Sequence, residues 1–180
     1  MKNLSVTELV SKAAELKAGE RFLLSGTVYT ARDAAHKKLA ELIDKGKQLP
    51  FELKDAVIYY CGPCPAKPRD VIGSCGPTTS SRMDPYTPLL ISKGVKAFIG
   101  KGPRSAEVKQ ALTDSGAVYF AATGGVAALF SKKVRKAEVI AFPELGPEAV
   151  YKLELADLPV LVACDSRGGD VFTAAISHKL

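Results

Sequence analysis

The sequence contains no tryptophan, and aromatic residues make up only 7% of it. Nucleic-acid surfaces interleave rings with Lys or Arg, so that bases stack while phosphates are neutralised, and no such pattern occurs here. The net charge of +6 is therefore read as a solvated basic surface or as provision for an acidic ligand. Long apolar runs are also missing. None approaches the ~20 residues that span a bilayer, and the start, Met1-Lys2-Asn3-Leu4-Ser5, lacks the apolar core of a signal peptide. A cytoplasmic protein with no membrane contact is expected. The lack of tandem repeats and low-complexity tracts excludes solenoids and dividing linkers.

What is present is the composition of an ordinary folded domain. With 180 residues, 47% hydrophobic and 24% charged, residues 1–180 are expected to form a single domain with one real core. Ser5-Val6-Thr7-Glu8 has capping-box form, and Val6, Leu9, Val10, Ala13 and Leu16 recur at helical spacing, which predicts an amphipathic helix up to Gly19. Arg21 to Tyr29 reads as a strand. Thr30 is then expected to cap a helix with Arg32 and Asp33 in its first turn and an end near Gly46. Ala56 to Tyr60 reads as a buried strand, and a short helix is expected around Tyr86 to Lys93. Ala97 to Ile99, Val118 to Ala121, Val139 to Phe142 and Pro159 to Ala163 each suit a short strand, with a capped helix from Ser105 to Ser115 among them. This alternation predicts an α/β domain whose loops converge at strand ends, where such folds usually bind ligands.

Three strand-to-loop transitions hold the residues with chemistry to offer. In the first, Thr30 to His36, Arg32 sits where the free N–H groups and positive end of a helix favour an anion, and its guanidinium offers a fork matched to carboxylate. His36 lies one helical turn further on. Taken singly, Arg32 also suits a plain surface position and His36 a packing role. In the second, Gly73 to Asp84, the glycines let backbone approach a ligand, and Thr78, Thr79, Ser80 and Ser81 followed by Arg82 supply donors for a carboxylate or phosphate. The plainer alternative is a hydroxyl-rich turn before a helix. In the third, Gly100-Lys101-Gly102-Pro103, glycines on both sides of a lysine permit a backbone that aims the ammonium inward, or simply make a turn.

The four cysteines, Cys61, Cys64, Cys75 and Cys164, read as thiols, metal ligands or redox groups rather than structural disulfides. Cys61-Gly62-Pro63-Cys64 carries the letters of a thioredoxin-type pair and follows a predicted strand, which keeps a thiol oxidoreductase as an alternative function. Its context argues the other way. Such a pair needs a long helix from the first cysteine, whereas Pro65 and Pro68 follow at once, and the stretch Cys61 to Pro77 reads as a long loop. Nor does the spacing of Cys61, Cys64 and Cys75 match a standard zinc or cluster run. Structural or incidental thiols are expected, and no metal on this chain.

Taken together, L-S-G-T-V-Y-T-A-R-D-A-A-H-K (Leu24 to Lys37), Y-C-G-P-C-P-A (Tyr60 to Ala66), I-G-S-C-G-P-T-T-S-S-R-M-D (Ile72 to Asp84) and I-G-K-G (Ile99 to Gly102) resemble the β subunit, or C-terminal domain, of class I fumarases and L-tartrate dehydratases. A-A-T-G-G-V-A-A-L (Ala121 to Leu129) fits as well. The resemblance implies a swivelling β/β/α domain with a mixed sheet and flanking helices. It also implies a larger partner, the α subunit, that holds a [4Fe–4S] cluster on its own cysteines, in an α2β2 assembly. By carry-over, Arg32, Thr78, Arg82 and Lys101 correspond to contacts with a dicarboxylate substrate, Thr78 assists the proton transfer, and His36 stands behind them without an assigned role. The activity implied is fumarate hydration to (S)-malate, with L(+)-tartrate dehydration as the alternative.

Overall fold

Five strands close on themselves. The computed structural model describes residues 1–122 and 127–173. In it β1 (Lys2–Ser5), β2 (Arg21–Thr30), β3 (Val57–Tyr59), β4 (Ala97–Gly100), β5 (Val118–Ala121), β6 (Val134–Ala141) and β7 (Val150–Cys164) form one sheet. β2, β3, β4 and β5 are parallel neighbours, and β7 is antiparallel to both β5 and β2, which joins the two ends of that row into a ring. β1 lies parallel to the start of β2, and β6 runs antiparallel along β7. The observed class is α/β, as the alternation of elements predicts.

Period-two alternation divides the side chains of the ring. Val57 and Tyr59, Ala97 and Ile99, and Val118 and Phe120 meet residues of β2 and β7 such as Leu24 and Val160 in one cluster drawn from all five ring strands, the interior. The intervening Ile58, Tyr60, Phe98 and Tyr119 point outward, where α2 (Asp33–Asp44), α3 (Thr87–Ser92) and α4 (Ala106–Ser115) cover them with Ala35, Leu90 and Leu112. The parallel strands are therefore buried on both faces, which is why they read as continuous apolar runs. α1 (Val6–Lys12) contributes Leu9 to the interior cluster, and α5 (Ala127–Ser131) completes the helices among the described residues. None is long and apolar enough to cross a membrane.

The closing strand bends to do its work. Within β7, Asp157 takes φ 57°, and its N–H donates to Ser25 Oγ at 2.9 Å. Opposite, the register with β2 shifts between Leu24 and Gly26, and Gly26 has φ 124°, where a Cβ would lie only 3.0 Å from that of Val6. Such a bulge turns a strand and increases its twist, so β7 can follow β2 and still reach β5.

Several expectations are corrected. β1 was not anticipated, the expected β6 begins earlier, and the strand expected from Pro159 begins at Val150. Asp157 and Pro159 locally discourage a strand, but pairing to β2, β5 and β6 overrides them. The first helix is shorter than expected: α1 stops at Lys12 and a 3-10 turn follows over Ala13–Glu15, although the Ser5/Glu8 capping box is present. Thr30 does not cap α2. It belongs to β2, its hydroxyl accepting from Tyr151 N at 3.0 Å, and Arg32 holds the N-cap position with no side-chain cap bond.

Leu24 is fully buried and faces Leu4 on one side and Leu158 on the other. Leu24→Ala is expected to cost about 3 kcal/mol, since a cavity between three strands cannot collapse. Urea unfolding should show a lower midpoint with an unchanged slope.

Candidate functional site

The parallel strands end on the same side of the ring, so the loops after β2, β3 and β4 emerge together. Arg32 follows β2. Its Nε lies 3.9 Å from Asp33 Oδ2, and Asp33 Oδ2 is 3.2 Å from an Arg82 guanidinium nitrogen. The same Arg82 nitrogen donates to Thr78 Oγ1 at 2.8 Å. Lys101, after β4, forms a parallel bridge with Thr79. Arg32, Asp33, Arg82 and Thr78 thus form one connected group, with Lys101 one bridge away. Lys101 is exposed, and no carboxylate lies in ion-pair range of it among the described residues. Arg82 is 46% exposed, so this cationic surface is open.

Two glycines make the arrangement possible. A Cβ on Gly62 would lie 2.6 Å from Arg32 Cδ, so the guanidinium rests on the bare backbone between Cys61 and Cys64. A Cβ on Gly100 would lie 2.0 Å from Ser80 Oγ, the contact that brings the Lys101 loop against the Ser80–Met83 turn. Ser80 Oγ accepts from Lys101 N at 2.9 Å, and Ser80 N donates to Lys101 O at 2.9 Å.

The start of α2 is occupied by the chain itself. Glu148 Oε2 accepts from Ala34 N at 2.9 Å and Glu148 Oε1 is 3.7 Å from Arg32. This distant carboxylate takes the role expected of Thr30, so the Ala34 amide is not free for a ligand, contrary to the expectation of free first-turn amides.

Beneath the group lies a buried polar network that sequence reasoning missed. Arg104 is 5% exposed. It donates to Asp84 Oδ1 at 2.7 Å, to Thr87 Oγ1 at 2.7 Å and to the Tyr60 hydroxyl at 3.2 Å, and its guanidinium carbon sits 4.9 Å from the Tyr119 ring centre. Tyr119 shares a hydrogen bond of 2.9 Å with Ser80 and donates to Gly102 O at 2.8 Å. The available signals were the arginine just after Gly102-Pro103 and the aspartate closing the Ser80-Ser81-Arg82-Met83 turn. Each carries a charge at a position the fold encloses.

His36 is fully buried between Tyr60 and Tyr86. Its Nδ1 donates to Arg32 O at 2.9 Å, which leaves the bare Nε2 without a partner. Burial lowers its pKa to about 4, against a favourable contribution from the Arg32 carbonyl, so the ring is neutral and supports the backbone of Arg32.

The family model described as Fumarase C-terminus matches residues 2–175. The chain belongs to the fumarase C-terminus family. It is 39% identical over 179 residues to "Fumarate hydratase class I, anaerobic" of Escherichia coli, covering 98% of this chain and 33% of that protein. It is 37% identical to "Fumarate hydratase 2" of Leishmania major, covering 96% of this chain and 31% of that one. The chain thus spans about a third of the length of these fumarate hydratases. A different proportion holds for "Putative L(+)-tartrate dehydratase subunit beta" of Methanocaldococcus jannaschii, 41% identical over 164 residues, 88% of this chain and 84% of that protein. Of the Ala121 to Leu129 segment, residues 123–126 lie outside the described residues.

For a family of fumarase type, the cysteines are the obvious place to look for an iron–sulfur cluster, and the donor set does not fit one. Cluster ligands each face a different iron. Here Cys61 and Cys75 are buried with their sulfurs 3.0 Å apart, facing each other, while Cys64 is exposed. Among the described residues no group of three or more His, Cys, Asp or Glu could hold a metal ion.

Two outcomes follow for this fumarase C-terminus domain. Arg104→Met leaves the largely enclosed Asp84 carboxylate unpaired and should cost about 3 kcal/mol, measured by urea unfolding. For His36 the folded pKa lies below the unfolded one, so the unfolded chain binds the extra proton first and stability falls as pH drops from about 6.5 to 4. The loss should approach about 3 kcal/mol, and His36→Leu should flatten that part of the stability profile.

Proposed function

We propose that this chain is the β subunit of a cytoplasmic two-subunit hydro-lyase of the class I fumarase type, a swivelling β/β/α domain that interconverts fumarate and (S)-malate only with its α subunit. The observation that carries the reading is the open cationic group: Arg32 and Arg82 held about one carboxylate, Thr78 bonded to Arg82, and Lys101 exposed beside them. Support for a separate small subunit comes from the match to most of a protein named as a subunit beta. In this reading the [4Fe–4S] cluster belongs to the α subunit, in an α2β2 assembly.

The chemistry asked of this chain is charge stabilisation. Removing the proton next to a carboxylate creates an aci-carboxylate with added negative charge, so fixed cations around it favour the transition state over the ground state. Arg82 and Arg32 offer forks for the substrate carboxylates, and Lys101 a mobile point charge. Thr78 Oγ1 already accepts from Arg82, which leaves its own O–H free to point at substrate. The neighbouring cation favours a developing negative charge on that oxygen, so Thr78 can assist proton transfer with an acidic residue of the α subunit. His36 acts only through the Arg32 backbone.

Tartrate dehydration is the second reading, favoured by the higher identity to the tartrate dehydratase subunit. The chain co-purified with its α subunit should be assayed anaerobically against fumarate, malate and tartrate. Arg82→Ala should lower kcat/KM for the preferred diacid by about 10²- to 10³-fold, with Arg82→Lys recovering part of it. Full activity in the Arg82→Ala complex would defeat the site assignment, and inactivity of the wild-type complex toward every diacid would defeat the reading itself.

A further inference from the structure

Two thiols touch beneath the site, and the reading above uses neither. Cys61 Sγ and Cys75 Sγ are 3.0 Å apart, both side chains are buried, and both are free. The chain holds them there from several sides. Cys61 bridges Pro77, the Tyr59 hydroxyl donates to Cys75 O at 2.7 Å, and Cys64 N donates to Ser74 O at 2.9 Å. A disulfide needs sulfurs at about 2.05 Å, so bond formation asks for a closure of only about 1 Å. The pairing is not that of the thioredoxin-like letters, because Cys64 is exposed while Cys61 faces Cys75.

We propose that Cys61 and Cys75 are a reversible thiol–disulfide site whose oxidation staples the loop that seats Arg32 and leads into Thr78. The oxidant is a low-molecular-weight disulfide. The thiolate of one cysteine attacks it, giving a mixed disulfide and one small thiol, and the thiolate of the other attacks the protein-side sulfur, giving the Cys61–Cys75 bond and a second small thiol. The two protein protons end on the two released thiols, and the small disulfide takes up two electrons. The hydrogen bond with Cys75 and burial push the Cys61 thiol well above its usual range, so exchange quickens as pH rises and trails reaction at exposed Cys64. The staple lies next to Gly62, whose missing Cβ receives Arg32, and its bridge partner Pro77 directly precedes Thr78.

The test uses the purified full chain and 2-hydroxyethyl disulfide at mildly alkaline pH, followed by peptide mapping without reduction. The expected product is a Cys61–Cys75 cross-link that dithiothreitol removes, that survives Cys64→Ser, and that raises Tm by roughly 5–10 °C by closing a short loop. Cys75→Ser should abolish it. If that variant fails to fold, the wild-type and Cys64→Ser maps decide alone. A Cys61–Cys64 link, or adducts confined to Cys64 with Cys61 and Cys75 still free, overturns the proposal.

Discussion

A single buried cation organises the face of the molecule where the loops meet. Arg104 leaves water almost completely, which is tolerable only because Asp84 pairs with it and Tyr60, Thr87 and the Tyr119 ring surround it. Each partner lies on a different segment: Asp84 after the Ser80–Met83 turn, Tyr60 directly after β3, Thr87 at the start of α3, Tyr119 in β5. Satisfying one guanidinium therefore fixes four segments at once. Arg82 lies within that turn and Lys101 is tied to it through Ser80, so the exposed cations inherit their positions from the enclosed one.

Much of this was legible in the sequence where local chemistry and global fold agree. The Ser5/Glu8 box, the Ser105 cap and the apolar cores of β3, β4 and β5 are local signals that packing reinforces. The motif residues Arg32, Thr78 and Arg82 also come together, because the parallel strands that precede their loops end on one side. Two things were hidden. Ring closure rests on β7, of which only Pro159 to Ala163 reads as a strand; the stretch from Val150 to Asp157 shows as strand only through its pairing with β2 and β6. The capping of α2 rests on Glu148, which no local window could join to Ala34. Arg104 was passed over for a similar reason, since an arginine after a Gly-Pro turn looks like surface until its partners are known.

The cationic group is partly neutralised by its own chain. Asp33 lies between Arg32 and Arg82, and Glu148 adds a second carboxylate to Arg32. Without them two guanidinium groups would repel at close range. With them the pair is held ready, yet the arrangement stays weak enough to exchange, since the contacts are exposed or long. An incoming dicarboxylate would compete with these internal carboxylates for the same donors.

The long reach of β7 also sets an order of assembly. Asp157 meets Ser25 across 132 positions of sequence, and the whole pairing of β7 with β2 is of this kind. Loop-closure entropy must be overcome before such contacts reward it, which slows folding. During synthesis every site residue is made well before the strand that shuts the ring. The nascent chain therefore carries β2 with an unpaired edge while residues 31–149 are made, a period in which a chaperone or a second chain can reach that edge first.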